Sequence, residues 1–179
     1  MMKQYILRQM VAIILTMSII ACVPAVSNAP HGSLAPEERA VRKESSYYFY
    51  TEAQLALKKG QVDRAIQLLQ KTAELDTTSV FIYLELASLY LNQKKTSQAV
   101  LTLEKGLAID PDHVEALILY GNINQTLNHK DKAKQAYARA IELAPAKEER
   151  VYLLLGNILM EEGDLDSAQA RLEVAVDLR

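Results

Sequence analysis

Residues 80–113 read VFIYLELASLYLNQKKTSQAVLTLEKGLAIDPDH, and the spacing inside them decides the fold. Ala87 is followed twelve residues on by Ala99, four further by Leu103 and three further by Gly106. The same spacing runs from Ala53 through Ala65, Leu69 and Thr72, and from Gly121 through Ala133, Tyr137 and Ala140. It runs a last time from Gly156 through Ala168, Leu172 and Ala175. The register advances by 34, 34 and then 35 residues, with Glu148 as the extra one. A fixed period in this range marks a solenoid, in which each unit is a helical hairpin that cannot bury its own apolar face. Residues 46–179 therefore read as four helix–turn–helix units, at 46–79, 80–113, 114–148 and 149–179, and the fold as all-α.

Each residue type has a reason for its place. Position four of the unit is large (Phe49, Tyr83, Leu117, Tyr152), position eight is small, and position eleven is bulky at Tyr90 and Leu159. Spacings of three and four put these on one helical face. The small residue at eight is expected to admit the second helix, with the alanine at twenty meeting it from the other side. A larger side chain at either place would overpack the contact at about 1–3 kcal/mol. The turns are Lys59-Gly60-Gln61, Gln93-Lys94-Lys95, Asn128-His129-Lys130 and Glu162-Gly163-Asp164. Gly60, Gly163 and Asn128 suit a left-handed helix end. Asp110-Pro111 and Ala144-Pro145 close two units, because proline cannot continue a helix.

This pattern resembles a tetratricopeptide repeat array, which implies a right-handed superhelix. In that family the inner face of the first helices, at positions two, five, nine and twelve, binds extended peptides or helices. Carried over, the first unit contributes Tyr47, Tyr50, Gln54 and Leu57, and the second Phe81, Leu84, Ser88 and Leu91. The third contributes Glu115, Ile118, Asn122 and Gln125, and the fourth Arg150, Leu153, Asn157 and Met160. The amides of Asn122 and Asn157 would offer both a donor and an acceptor to an extended main chain. Asparagine at nine also belongs to the family's usual pattern, and Tyr47 and Phe81 have a second reading as residues packed beneath the first helix. Family members that grip the carboxy-terminal tails of cytosolic chaperones use a lysine at position five. Here position five is Tyr50, Leu84, Ile118 and Leu153, so the resemblance excludes that partner class.

Residues 1–21 read as an export signal, with Lys3 and Arg8 ahead of an apolar run from Met10 to Ala21. Ile19-Ile20-Ala21-Cys22 resembles the lipobox of bacterial lipoproteins, which implies cleavage before Cys22 and lipid on its thiol. Val23, rather than aspartate, follows the cysteine and points to the outer membrane in Gram-negative lineages. Two other readings stay open. Ser27-Asn28-Ala29 would serve as an ordinary cleavage site, and the apolar run would serve as an uncut anchor, though a span prefers about 20 residues. Residues 22–35, with Pro24, Pro30 and Gly32, read as a flexible tether. Residues 36–45 read as a helical extension of the first repeat, opened by Pro36, Glu37 and Glu38.

The chain has 20 basic and 22 acidic residues, mixed along the helices; without Lys3 and Arg8 its net charge is about −4, no footprint for nucleic acid. No cofactor is implied. His31, His113 and His129 share no metal-ligand spacing, and Glu161, Glu162, Asp164 and Asp166 lack the order of a calcium loop. No catalytic constellation is expected. The last helix carries Leu172, Val174, Val176 and Leu178, for which the pattern offers no covering helix. That implies self-association, another partner, or further repeats. The whole chain is similar to repeat lipoproteins of the bacterial envelope, a class that includes the pilotins of type IV pilus secretins. The expected function is a non-enzymatic, lipid-anchored protein–protein scaffold that helps assemble a pilus, secretion or export complex. The alternatives are a periplasmic adaptor for polysaccharide or protein export, and a fragment of a longer protein whose active part lies elsewhere.

Overall fold

A computed structural model describes residues 35–145 and 149–178. The signal sequence, Cys22 and all of the tether but Ala35 lie outside the described residues, as do Glu148 and Arg179. The fold described is that of the unit Glu37–Arg179. Its helices are α1 (Pro36–Lys58), α2 (Val62–Leu75), α3 (Val80–Asn92), α4 (Thr96–Ile109), α5 (Val114–Thr126), α6 (Lys130–Leu143), α7 (Glu149–Glu162) and α8 (Leu165–Asp177). They pair as the hairpins that the period requires, and no strand occurs among the described residues. In α1, Glu37 and Glu38 occupy the first turn and Lys58 the last, each matching the helix dipole. In α2 the buried Ala65, Ile66, Leu69, Thr72 and Ala73 form a stripe at helical spacing.

All four turns use one device. Gly60, Lys94, Asn128 and Gly163 take left-handed φ of 71°, 60°, 60° and 84°. The next residue then bonds back five positions, Gln61 N–H to the Ala56 carbonyl at 2.9 Å, Lys95 to Tyr90 at 2.8 Å, His129 to Asn124 at 2.8 Å and Asp164 to Leu159 at 3.0 Å. This bond satisfies a carbonyl that the helix end would leave open. Lys94 takes the conformation without glycine's freedom, at a cost of roughly 1–2 kcal/mol.

Within a hairpin the alanine at position twenty does meet the small residue, with the Ala168 carbonyl oxygen 3.5 Å from a Cβ on Gly156, and a further residue joins the contact. The side chain lying over the small residue at position eight is the large one at position twenty-four. A Cβ on Gly121 would come within 2.7 Å of Tyr137 Cδ1, and one on Gly156 within 2.9 Å of Leu172 Cδ2. The first two hairpins reach the same volume with alanine beneath leucine, and Ala53, Leu69, Ala87 and Leu103 are fully buried. Tyr137 is as deeply buried as they are, whereas Leu172 is only half-buried. Leu107 packs against both of the apolar clusters that make up the core, so the interior continues along the stack.

Gly121→Ala is expected to destabilise the fold by about 1–3 kcal/mol, since Tyr137 must move. Adding Tyr137→Leu, which recreates the alanine–leucine pair of the second hairpin, should recover most of the loss. Urea unfolding midpoints of the two variants measure this coupling; equal midpoints would refute the contact.

Candidate partner-binding face

Positions two, five, nine and twelve lie along one stripe of the first helices, beside the stripe that fills the core. None of the residues there is buried. Tyr47 is 63 % exposed, Phe81 54 % and Met160 47 %. Ser88, Glu115, Arg150 and Asn157 are also exposed, while Tyr50, Gln54, Leu57, Leu84, Leu91, Ile118, Asn122, Gln125 and Leu153 are half-buried. Tyr47 and Phe81 are therefore not packed beneath α1. The reason is geometric: each projects from a position that the hairpin contact does not use.

The aromatic end of the face is built by α1 and α3. The Tyr50 and Phe81 rings stand 6.4 Å apart at 56°. With Tyr47, Lys43 and Asp76 they line a hollow of about 230 Å³. Gln54 Nε2 donates to both carboxylate oxygens of Glu85, at 3.0 and 3.1 Å. Burial, then the charge of Glu85 and a hydrogen bond to it, push the Tyr50 phenol above its ordinary pKa. Glu85 thus sets the polarity of this end. Sequence reasoning missed it because it stands at position six, one residue past the carried-over stripe.

At the other end the stripe is tied to the core. Tyr137 Oη lies 2.9 Å from Asn122 Oδ1 and 3.0 Å from Gln125 Oε1, its one proton shared between the two. The hydroxyl donates to one of these amides at a time, and each amide oxygen keeps a second lone pair, so Asn122 and Gln125 still offer N–H donors and an acceptor. Arg150 lies close enough for its charge to act on Tyr137. Arg150 and the amide N–H groups give this end donors for carbonyl and carboxylate groups. The signal for Tyr137 was present, as tyrosine where the other units have leucine, but the position reads as core.

The remaining polar candidates have structural work. His113 Nδ1 caps α5 by accepting from Ala116 N–H at 3.4 Å, and His129 Nδ1 lies 3.3 Å from Asn124 Oδ1. Glu161 pairs with Lys130 at 2.7 Å and Glu162 with Lys134 at 2.6 Å. Asp164 caps α8 by accepting from Ser167 N–H at 3.2 Å. No group of three potential metal ligands occurs among the described residues.

Two family models, both described as tetratricopeptide repeat, match the chain, one over residues 56–123 and the other over 114–147 and 149–179. The repeats are tetratricopeptide repeats. No curated protein matches the sequence. Among solved structures, MamA superposes with a TM-score of 0.67 at 24 % identity, over 79 % of this chain and 84 % of that one. YrrB, described as a tetratricopeptide protein with an unusual peptide-binding site, superposes at 0.66 and 21 % identity, over 79 % and 73 %. The pilF protein of Pseudomonas aeruginosa gives 0.63 at 22 % identity, over 77 % and 63 %. At these identities the shared property is the tetratricopeptide fold.

Burial pushes the Tyr137 phenol from 10.0 up to about 12, with Arg150 pulling the other way. Between those values the unfolded chain has lost its phenolic proton and the folded chain keeps it. Stability is therefore full below pH 10 and falls as pH rises toward about 12. Tyr137→Phe should cost about 1 kcal/mol at neutral pH through the lost hydrogen bond. It should also flatten the alkaline decline, read as unfolding midpoint against pH; an unchanged decline would show that Tyr137 is not its source.

Proposed function

We propose that this protein is a non-enzymatic scaffold that takes an extended segment of a partner protein along the stripe from Tyr47 to Met160. The observation that carries this reading is the state of the stripe. Leu57, Leu84, Leu91, Ile118 and Leu153 stay half-exposed and Phe81 is 54 % exposed, each beside the stripe of its helix that is buried in the core. Apolar surface held open along a rigid groove is the usual mark of a partner site. A segment suited to it would place an apolar or aromatic side chain against Tyr47, Tyr50 and Phe81. Its main-chain carbonyls, or an acidic side chain, would meet the N–H groups of Asn122, Gln125 and Arg150. The peptide-binding site named for YrrB supports this use of the fold.

The setting is read from the amino-terminal sequence. Cleavage before Cys22 and lipid on its sulfur would hold the scaffold at a bacterial envelope membrane, with the outer membrane indicated by Val23. Several acyl chains on one residue give firm attachment, since each buried methylene contributes about 0.8 kcal/mol. In that place the scaffold would assist assembly or positioning of an envelope complex.

Two experiments test these statements separately. Leu84→Glu with Ile118→Glu puts two charges in the groove and should weaken partner capture at least about 30-fold, or about 2 kcal/mol, with helicity retained. Unchanged capture by a correctly folded double variant would rule the stripe out as the site. For the anchor, the protein and its Cys22→Ser variant are compared by intact mass and fractionation. A membrane-bound species beginning at Cys22 and heavier by acyl chains is expected, and its loss in the variant. An unmodified soluble species beginning at Pro30 would contradict lipidation.

A further inference from the structure

Inside the stack every hairpin is joined to the next through the same register. The incoming first helix contributes positions three and ten, and the outgoing second helix contributes position twenty-eight. One apolar cluster joins buried Ala73 to Ile82 at the first junction and Leu107 to Ala116 and Ile123 at the second. The other joins Ile141 to Val151 and Ile158 at the third. Polar pairs flank these contacts, linking positions thirteen and fourteen of the incoming helix to seventeen, eighteen and twenty-one of the outgoing one. They are Gln93 to Asp63 at 2.7 Å, Glu161 to Lys130 at 2.7 Å and Glu162 to Lys134 at 2.6 Å.

The first and last described helices present this register without a partner among the described residues. On α1, positions three and ten are Tyr48 and Leu55, exposed to 61 % and 43 %, and Val41, at 59 %, stands one heptad before Tyr48. Val41, Tyr48 and Leu55 form an apolar stripe at seven-residue spacing. On α8, position twenty-eight is Val176, 70 % exposed where Ala73 and Ile141 are buried. Val176, Leu172, Leu165 and Met160 border a shallow hollow of about 670 Å³.

The charges at the two ends also match. Position fourteen of the first unit is Lys59, just past the end of α1 at Lys58, and position eighteen of the fourth, on α8, is Asp166. Asp63 and Gln93, at the corresponding positions, are bonded to each other within the stack. We propose that copies of this protein stack head to tail, α8 of one copy receiving α1 of the next in the register in which α6 receives α7. Such a heterologous contact uses two different faces of one chain, so it propagates instead of stopping at a pair. The partner stripe at positions two, five, nine and twelve stays open apart from Met160, which also borders the tail hollow. The inference is therefore independent of the groove reading, and either can fail without the other.

The test uses the purified protein in a Cys22→Ser background, by sedimentation velocity across a concentration series. The parent should form species larger than dimers as concentration rises. A head-blocked variant (Tyr48→Glu with Leu55→Glu) and a tail-blocked variant (Leu165→Glu with Val176→Glu) should each be monomeric. Mixed in equal amounts they should give a dimer and nothing larger, because one open head and one open tail remain. All four substitutions fall on exposed positions, so helicity and melting temperature should match the parent. As a second readout, Leu55→Cys with Val176→Cys should give a ladder of disulfide-linked multimers. A parent that stays monomeric at hundreds of micromolar and yields no ladder would overturn the proposal, leaving the two faces to other occupants. A parent that stops at a dimer, with no assembly in the mixture, would overturn it in favour of a symmetric pair.

Discussion

The contact between position eight of each first helix and position twenty-four of each second helix governs how close the two helices of a hairpin can come. Alanine beneath leucine and glycine beneath tyrosine are two ways to fill one space, and both leave the large residue fully buried. Because the second helix lies this close, the turn between helices must reverse tightly, and the left-handed residue at Gly60, Lys94, Asn128 and Gly163 makes that reversal. The same approach settles which first-helix positions face inward. Those at two, five, nine and twelve are turned away from the pairing and left available to another molecule.

Most of this was legible from spacing alone, since a solenoid repeats one local solution and every repeat restates its constraints. The hairpins, their turns and the start of α1 at Pro36 follow from Ala53, Ala87, Gly121 and Gly156 and from where glycine and proline stand. What periodicity could not show is how side chains share space across the pattern. It named the alanine at twenty, which does lie against Gly156, but not the large residue at twenty-four, whose ring fills the volume over Gly121. Nor did it foresee Lys94 in a left-handed turn, because there the fold overrides the residue's own preference.

The candidate face was legible in outline, but the partners that set its polarity were not. The stripe came from a family resemblance, and its residues do stand together and open. Which atoms they present depends on neighbours outside the stripe. Glu85 takes the amide of Gln54, and Tyr137 donates to the oxygen of Asn122 or of Gln125. These contacts join residues 12 to 31 positions apart in the chain, so no local pattern announces them. Their effect is to divide the groove into an aromatic end with a carboxylate and a donor-rich end near Arg150.

The central claim is that this face, and not the outer surface of the second helices, meets a partner. Site-specific photo-crosslinking in cells tests it most directly, with a photoreactive residue placed at Leu84 or, as the comparison, at exposed Lys105 on α4. The account predicts a discrete heavier adduct from Leu84 and none from Lys105. Adducts from Lys105 alone, or equal adducts from both positions, would contradict it.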